Sequence, residues 1–365
     1  MECKRCLLTT DITDVWLDEH DVCNFCHHHE KIEDSVWGFD FDAFVDKLKA
    51  QKGKYHCLIP ISGGLDSSIL LHLMVTRYGL NPLVIHMDNY WNTDEANYNV
   101  YTMAKTLGVD FIRYQISDHE INAINKSFLK ASVSEADIPN DMAMVEYFRL
   151  TCKQYNIKWV LNGHDFRGEG TTPLSWTYMD SKYIESVHAR HNGSKLKSFP
   201  LMTLGKQFMY AFNRIKHISP LYYIPYDRNL LKEELIRTYG WKDYGMKHQE
   251  NNYTWFVGAY LLPRKFGIDK RLLYLSAQVR SGMKTKEEAK LILNEPVPEP
   301  KAIIAEIKRR QGWTTAEWNA MMKLPRHTHY EYETYHPFFK KYRWLMWIMM
   351  KLNAVSYNFY VKYCK

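Results

Sequence analysis

The chain has 365 residues, 46% of them hydrophobic, and a formal net charge of +7 at pH 7. That length predicts two or three domains around a large core, and that composition excludes a disordered chain. The charge is uneven: residues 301–365 hold 12 Lys/Arg against 4 Asp/Glu, and the first 300 residues hold the other 36 against 37, so a nucleic-acid footprint over the body is not expected.

The opening residues are polar and cysteine-bearing, unlike a signal peptide. No apolar run approaches the roughly 20 residues of a membrane helix. The cytoplasm is therefore the expected compartment. Cys3, Cys6, Cys23 and Cys26 form two C-x2-C pairs, a spacing that brings four thiolates to one tetrahedral Zn²⁺. Four thiolates leave no open position for water, so the expected role is structural. Paired disulfides are the alternative, disfavoured in a reducing compartment. His27, His28 and His29 follow and read as the start of the next segment rather than as ligands. Cys57 and Cys152 lie in apolar settings and read as core; Cys364 is isolated near the C-terminus.

Leu58–Ile61 is a short apolar run, read as a buried strand. It leads into "SGGLDSS" (62–68). Gly63 and Gly64 allow a tight turn, and Asp66–Ser68 can cap a helix over 66–78 whose apolar face carries Leu70, Leu73 and Met74. A strand, a glycine turn and a helix N-terminus together make an anion site. No lysine follows the glycines as it would in a Walker A loop. A second strand is expected at 81–88, ending in Asp88. Thr93 then caps a helix to about Leu107, with Ala96, Val100, Met103 and Ala104 on one face. A third strand spans 110–117, a helix lies near 141–155, and a fourth strand spans 157–165, containing Asn162 and Gly163. Strands alternating with helices predict an α/β fold with a doubly wound parallel sheet, whose ligands sit beyond the carboxyl ends of its strands. The region 236–365 reads as mainly helical. Its basic, aromatic end (340–365) is compatible with a terminal helix packed on the core, with docking to a partner, or with contact to an anionic membrane surface.

"SGGLDSS", following a strand and opening a helix, resembles the pyrophosphate loop of the PP-loop ATPases, the adenine nucleotide alpha-hydrolase-like fold. The resemblance implies that Ser62, Gly63, Gly64, Asp66, Ser67 and Ser68 hold the pyrophosphate of ATP, with Mg²⁺ neutralising it. It implies that Met87, Asp88 and Gly163 line the rest of the nucleotide. Three stretches, "CKRCLLTTDITDVWLDEHDVCNFC" (3–26), "NGHDFRGEG" (162–170) and "GMKHQENNYTWFVGAYLLPRKFGIDKR" (245–271), are similar to the N-acetyl sugar amidotransferases of surface-polysaccharide biosynthesis. That family implies ATP-dependent conversion of a sugar acetamido group to an acetamidino group through an adenylated imidate. Asp66, Asp165 and Glu169 are then the catalytic candidates. Lys247, His248, Glu250, Arg264 and Lys265 are candidates for binding a nucleotide-sugar or acid-sugar, with Lys270 and Arg271 as further cations. No cysteine has the setting of a glutaminase nucleophile, so ammonia is expected from a histidine-biosynthesis-type glutaminase subunit, with a cyclase-like protein as a further partner. The expected division is a zinc-binding element at 1–35, the PP-loop ATPase domain at 36–235 and the helical region at 236–365. The competing reading is a zinc-containing PP-loop enzyme that thiolates tRNA.

Overall fold

The computed structural model describes every residue except 213, 214, 353, 354, 356 and 365. The order begins with α1 (Asn24–Trp37), α2 (Phe41–Lys49), β1 (Cys57–Pro60), α3 (Leu65–His72), β2 (Pro82–Asp88), α4 (Asp94–Leu107) and β3 (Asp110–Gln115). It continues with α5 (Asp118–Ala131), α6 (Ile138–Gln154), β4 (Trp159–Leu161), α7 (Phe166–Glu169), α8 (Ser181–His191), α9 (Leu204–Phe212) and β5 (Lys216–Ile218). Helices follow to the end: α10 (Arg228–Tyr239), α11 (Asn252–Phe256), α12 (Arg271–Arg280), α13 (Lys286–Asn294), α14 (Lys301–Gln311), α15 (Thr315–Lys323), α16 (His336–Lys341), α17 (Arg343–Lys351) and α18 (Tyr357–Cys364).

The five strands lie in the order β3-β2-β1-β4-β5. β1 runs parallel to both β2 and β4. The Lys216 N–H donates to the Lys158 carbonyl and the Asn162 N–H to the Ile218 carbonyl, both at 2.8 Å; the two bonds advance together along both strands, as in a parallel ladder. The order reverses between β1 and β4, and in such sheets the ligand crevice opens at that reversal. Apolar side chains explain the burial on both faces: Cys57, Leu58 and Ile59 of β1, Val84 of β2, and Val160 and Leu161 of β4 are 2% exposed or less, as expected for strands covered by helices.

Helix ends follow local chemistry. Thr93 caps α4 by accepting the Ala96 N–H, and Gly108 ends it in the left-handed region at φ 64°. At the first expected helix the structure differs from the sequence reading. The N-cap is Gly64, not Asp66–Ser68, which lie in the first turn, and α3 gives way to a π-helical turn over Leu73–Arg77. The fourth strand is three residues long because the chain leaves the sheet after Asn162 and Asp165 then caps α7. β5 was not expected: "KHI" has neither apolar run nor turn signal, and only pairing beside β4 makes it a strand.

By contact the chain forms two compact units, each discontinuous in sequence. Unit 1 comprises residues 1–114, 159–176 and 217–304, so all three expected segments contribute to it. It holds the glycine turn, the four cysteines and α12. Unit 2 comprises residues 115–158, 177–216 and 305–365 and is helical, with Phe128, Tyr183 and Phe339 in its interior. The last residues form three helices, of which α16, α17 and α18 bury Phe339, Met346 and Tyr363 respectively. Among the described residues no helix is long and apolar enough to cross a membrane.

Candidate functional site

The site forms where β1 ends. Gly63 adopts φ 84°, and a Cβ there would lie 2.2 Å from the Ala96 carbonyl oxygen, so only glycine fits. The serines lace the turn: the Gly64 N–H donates to Ser62 Oγ at 3.2 Å, the Ser62 N–H to Ser67 Oγ at 3.2 Å, and the Ser67 hydroxyl to the Gly64 carbonyl at 3.1 Å. Gly64 supplies no side-chain cap to α3; a helix start of this kind accommodates an anion. Ser68 is buried, with its Oγ accepting the Trp241 indole N–H at 3.1 Å.

The loop after β4 comes to the same place. Gly163 lies so near the turn that a Cβ on it would be 3.0 Å from the Ser67 backbone. Asp165 caps α7 through the Arg167 N–H at 3.1 Å and accepts the Tyr226 hydroxyl at 2.9 Å. Glu169 ends α7 and approaches His164 Nε2 at 3.2 Å, while His164 Nδ1 meets the Tyr222 hydroxyl at 2.8 Å.

Lys247 joins the two loops. Its ammonium lies 3.0 Å from Asp66 Oδ2 and 2.7 Å from Glu169 Oε1. Arg228, at the start of α10, pairs with the other oxygen of Asp66. Burial pushes the Asp66 carboxyl up, but Lys247 and Arg228 outweigh it and hold Asp66 below the usual carboxylate range. Glu250 sits over Gly64; burial raises its pKa, with the negative charge of Asp66 adding to the rise. Its Oε2 is buried and has no hydrogen-bond partner. His248 takes φ 64°, uncommon for a side chain other than glycine. Burial, then Lys247 and Lys270, push its imidazole down to about 3, so it is neutral at pH 7.

The segment carrying these groups is stitched to the loop after β2. The Thr93 N–H donates to the Glu250 carbonyl at 2.9 Å, the Asn252 N–H donates to the Trp91 carbonyl at 2.7 Å, and Asn251 Nδ2 donates to the side-chain oxygens of Asn89 and Asn92. In that loop Asp88 is buried, paired with Arg113 and accepting the Tyr90 N–H, and the Met87 carbonyl accepts Asn92 Nδ2 at 3.3 Å. Buried Asn99 donates to the Gly63 carbonyl at 3.2 Å and to the Lys242 carbonyl at 2.9 Å.

The structure thus brings Ser62, Gly63, Gly64, Asp66, Ser67, Gly163, Glu169, Lys247 and Glu250 together. Asp165 borders the group through Tyr226. Arg264 is exposed with its guanidinium over the Tyr260 ring, and Arg271 forks onto Asp269 and ties down the carbonyls of Leu293 and Glu295. Lys265 is buried, which pushes its ammonium down to about 8. Arg228, Tyr226, His164 and Asn99 were absent from the expected set. His164 lies inside a stretch already singled out, but Arg228 and Asn99 carry no motif.

The four cysteine sulfurs lie within 4.8 Å of one another, with Cys3–Cys26 at 3.7 Å and both Cys6–Cys23 and Cys23–Cys26 at 3.6 Å. A tetrahedral zinc with bonds of about 2.3 Å has sulfur–sulfur edges of about 3.8 Å, so the set fits a tetrathiolate metal. His27 instead pairs with Asp18 at 2.7 Å and Glu30 at 3.3 Å. The cysteine element packs on α12: Leu273 joins its core, the Leu7 N–H donates to Ser276 Oγ at 3.3 Å, and Arg280 reaches Cys6 Sγ at 3.5 Å. α12 also carries the α7 loop, since Ser281 Oγ donates to the Arg167 carbonyl at 3.3 Å. Buried His29, with its ring 4.9 Å from Phe166, closes the contact.

Residues 250–347 match the family described as LPS biosynthesis protein WbpG-like, C-terminal domain. An uncharacterised protein of Methanocaldococcus jannaschii is 25% identical over 276 residues, which is 74% of this chain and 83% of that protein. A glutamine-hydrolysing GMP synthase of Serratia proteamaculans is 25% identical over 124 residues, 33% of this chain and 22% of that enzyme. Among solved structures, the U34-tRNA thiolase NcsA of Methanococcus maripaludis, with its [4Fe-4S] cluster, aligns at TM-score 0.33 and 13% identity over 86% of this chain and 99% of that one. The NH3-dependent NAD synthetase of Campylobacter jejuni aligns at TM-score 0.30 and 14% identity over 82% and 98%.

Proposed function

We propose that this protein is an ATP-dependent amidotransferase that converts an acetamido group of a sugar to an acetamidino group for bacterial surface-glycan biosynthesis. The observation that carries the ATP chemistry is the Lys247 bridge between Asp66 of the glycine turn and Glu169 of the loop after β4. The sugar assignment rests on the resemblance of three stretches to the sugar amidotransferases and on the WbpG-like match over 250–347.

An amide carbonyl is a weak electrophile. In the proposed reaction its oxygen attacks the α-phosphorus of ATP, the α–β bond breaks, and pyrophosphate leaves. Ammonia then adds to the imidate carbon, and AMP departs with the former amide oxygen. The turn from Ser62 to Ser67 and the start of α3 would receive the pyrophosphate. Lys247 and Arg228 would exchange part of their pairing with Asp66 for the phosphate oxygens. Mg²⁺, when bound, neutralises the leaving group, and Asp66 and Glu169 are the carboxylates that would hold it. Glu250, whose pKa burial raises, is the group that would take the proton released as ammonia adds, while His248, held neutral by burial, would serve as a hydrogen-bonding partner. Met87, Asp88 and Gly163 would border the nucleoside, and Arg264 and Lys265 remain candidates for the sugar's acidic groups.

The four cysteines would hold a structural Zn²⁺, stabilising the element that braces α12 and, through it, the loop of Asp165 and Glu169. Ammonia would come from a separate glutaminase of the histidine-biosynthesis type acting with a cyclase-like subunit, in the cytoplasm. Against the thiolation reading, Cys57 is fully buried at the start of β1, the opposite end of that strand from the glycine turn.

The test incubates the purified chain with ATP, ammonium and a panel of diacetamido sugar nucleotides. The expected products are AMP, pyrophosphate and a sugar lighter by the difference between O and NH. Release of ADP and phosphate would overturn the adenylation chemistry itself, and iron instead of zinc on elemental analysis together with sulfur transfer to tRNA would replace this reading with the thiolase one.

A further inference from the structure

Near the C-terminus of unit 2 lies a helix whose outer face is apolar and whose flanking sequence carries charge of one sign. On α17 the side chains of Trp344, Trp347, Ile348 and Leu352, its C-cap, are 61%, 48%, 41% and 74% exposed. They fall at i, i+3, i+4 and i+8, a single stripe along the helix. The opposite side is occupied, since Met346 is 1% exposed and α17 packs against α16 and α18. Lys340, Lys341 and Arg343 flank one end of the stripe, and Lys351 lies along it with its ammonium 5.5 Å from the Trp347 ring centroid. From residue 334 to the C-terminus there are six Lys/Arg and no Asp or Glu.

We infer that this face is a docking surface for an anionic lipid bilayer. Two tryptophans and two aliphatic side chains on one stripe, bordered by lysines, match the composition of helices that lie in the headgroup region. The single sign of charge decides between occupants. A bilayer presents a laterally uniform negative field, which the cations bordering the stripe, Lys340, Lys341, Arg343 and Lys351, complement. Protein surfaces carry both signs, and a rim facing one would be expected to carry acids as well. Since no described helix is long and apolar enough to span, α17 lies on the surface rather than crossing it. The inference does not depend on the reaction proposed above.

The experiment floats the full-length protein with vesicles of phosphatidylglycerol and phosphatidylcholine in equal amounts, and with phosphatidylcholine alone. Binding to the anionic vesicles only is expected, and it weakens at high salt as the Debye length shrinks. Replacing Lys340, Lys341 and Arg343 together by Gln should weaken binding by roughly a hundredfold, about fivefold per charge. The pair Trp347→Ser and Ile348→Ser should weaken it by roughly tenfold or more. All five positions are exposed, so circular dichroism melts should match the parent, and a variant that melts lower is replaced by Trp344→Ser. The inference is overturned if the parent does not float with anionic vesicles or if the variants float as well as the parent. It is also overturned if the parent stays in solution as a dimer that Trp347→Ser and Ile348→Ser dissociate, which would make the face an interface between copies.

Discussion

Two ion networks, one in each unit, use the same side-chain chemistry to different ends. In unit 2, Glu146 and Arg149 on α6 form a bidentate pair with both contacts at 2.7 Å, and Lys206 adds a contact to Glu146 at 2.9 Å. Both members of the pair are nearly inaccessible and sit one helical turn apart. In unit 1, Asp66, Arg228, Lys247 and Glu169 come from four separate segments and are only partly buried. They border a backbone held at positive φ and a carboxylate with a bare buried oxygen. The first network is closed on itself. The second is partly exposed and borders a buried acceptor, Glu250 Oε2, that has no partner, the pattern expected where a charged ligand exchanges with protein partners.

That contrast predicts different failures. Asp66→Asn should lower substrate-dependent pyrophosphate release by about 10⁴-fold, about 5.5 kcal/mol in barrier, while the melting temperature stays near the parent's. A variant that unfolds instead would place Asp66 with Glu146 as a structural ion. Glu146→Ala should do the reverse. It strands Arg149 as a buried unpaired charge and should cost about 3–5 kcal/mol in denaturant unfolding, with activity per folded molecule unchanged.

Lys247→Met should reduce pyrophosphate release by about 10²-fold, about 2.7 kcal/mol, chiefly by raising the KM for ATP. Equal kinetics in parent and variant would mean that Lys247 is only a brace.

At His248 the expected effect is a slope in stability with pH, not a loss of activity. Its folded pKa of about 3 lies below the ordinary value of 6.5, so between those values the unfolded chain binds a proton that the folded chain does not. The contribution is therefore present above pH 6.5 and is lost as pH falls, by at most about 1.4 kcal/mol per pH unit. His248→Asn tolerates the positive φ and should flatten the acid limb of a stability–pH curve relative to the parent. Identical limbs would show that His248 takes up its proton as readily in the fold as in the unfolded chain.

Much was legible in local pattern. The C-x2-C pairs, the glycine turn after an apolar run, the Thr93 cap and the acids after β4 are short-range signals, each set by a few neighbouring residues. As local structure, the turn, the Thr93 cap and the converging cysteines are found where they were expected, because turn, cap and spacing act within about one helical turn. Two local readings failed, the cap at Asp66–Ser68 and the long fourth strand. In both cases the helix begins at a different residue from the one expected: Gly64 takes the cap and leaves Asp66 in the first turn, free to pair with Lys247 and Arg228, and Asp165 caps α7 and so ends the strand early.

By itself, then, the sequence determined a parallel α/β sheet with a glycine turn opening a helix, and four thiolates that converge, because burial, backbone freedom and ligand spacing are properties of contiguous residues. The tertiary structure alone decided that β5 is a strand, that Arg228 and Asn99 belong to the turn, and that the cysteine element rests on α12 beneath the loop of Asp165 and Glu169. Those are contacts across roughly 35–270 residues of chain. No periodicity encodes them, since an arginine that completes an ion network reads, one residue at a time, like any solvated arginine on a helix.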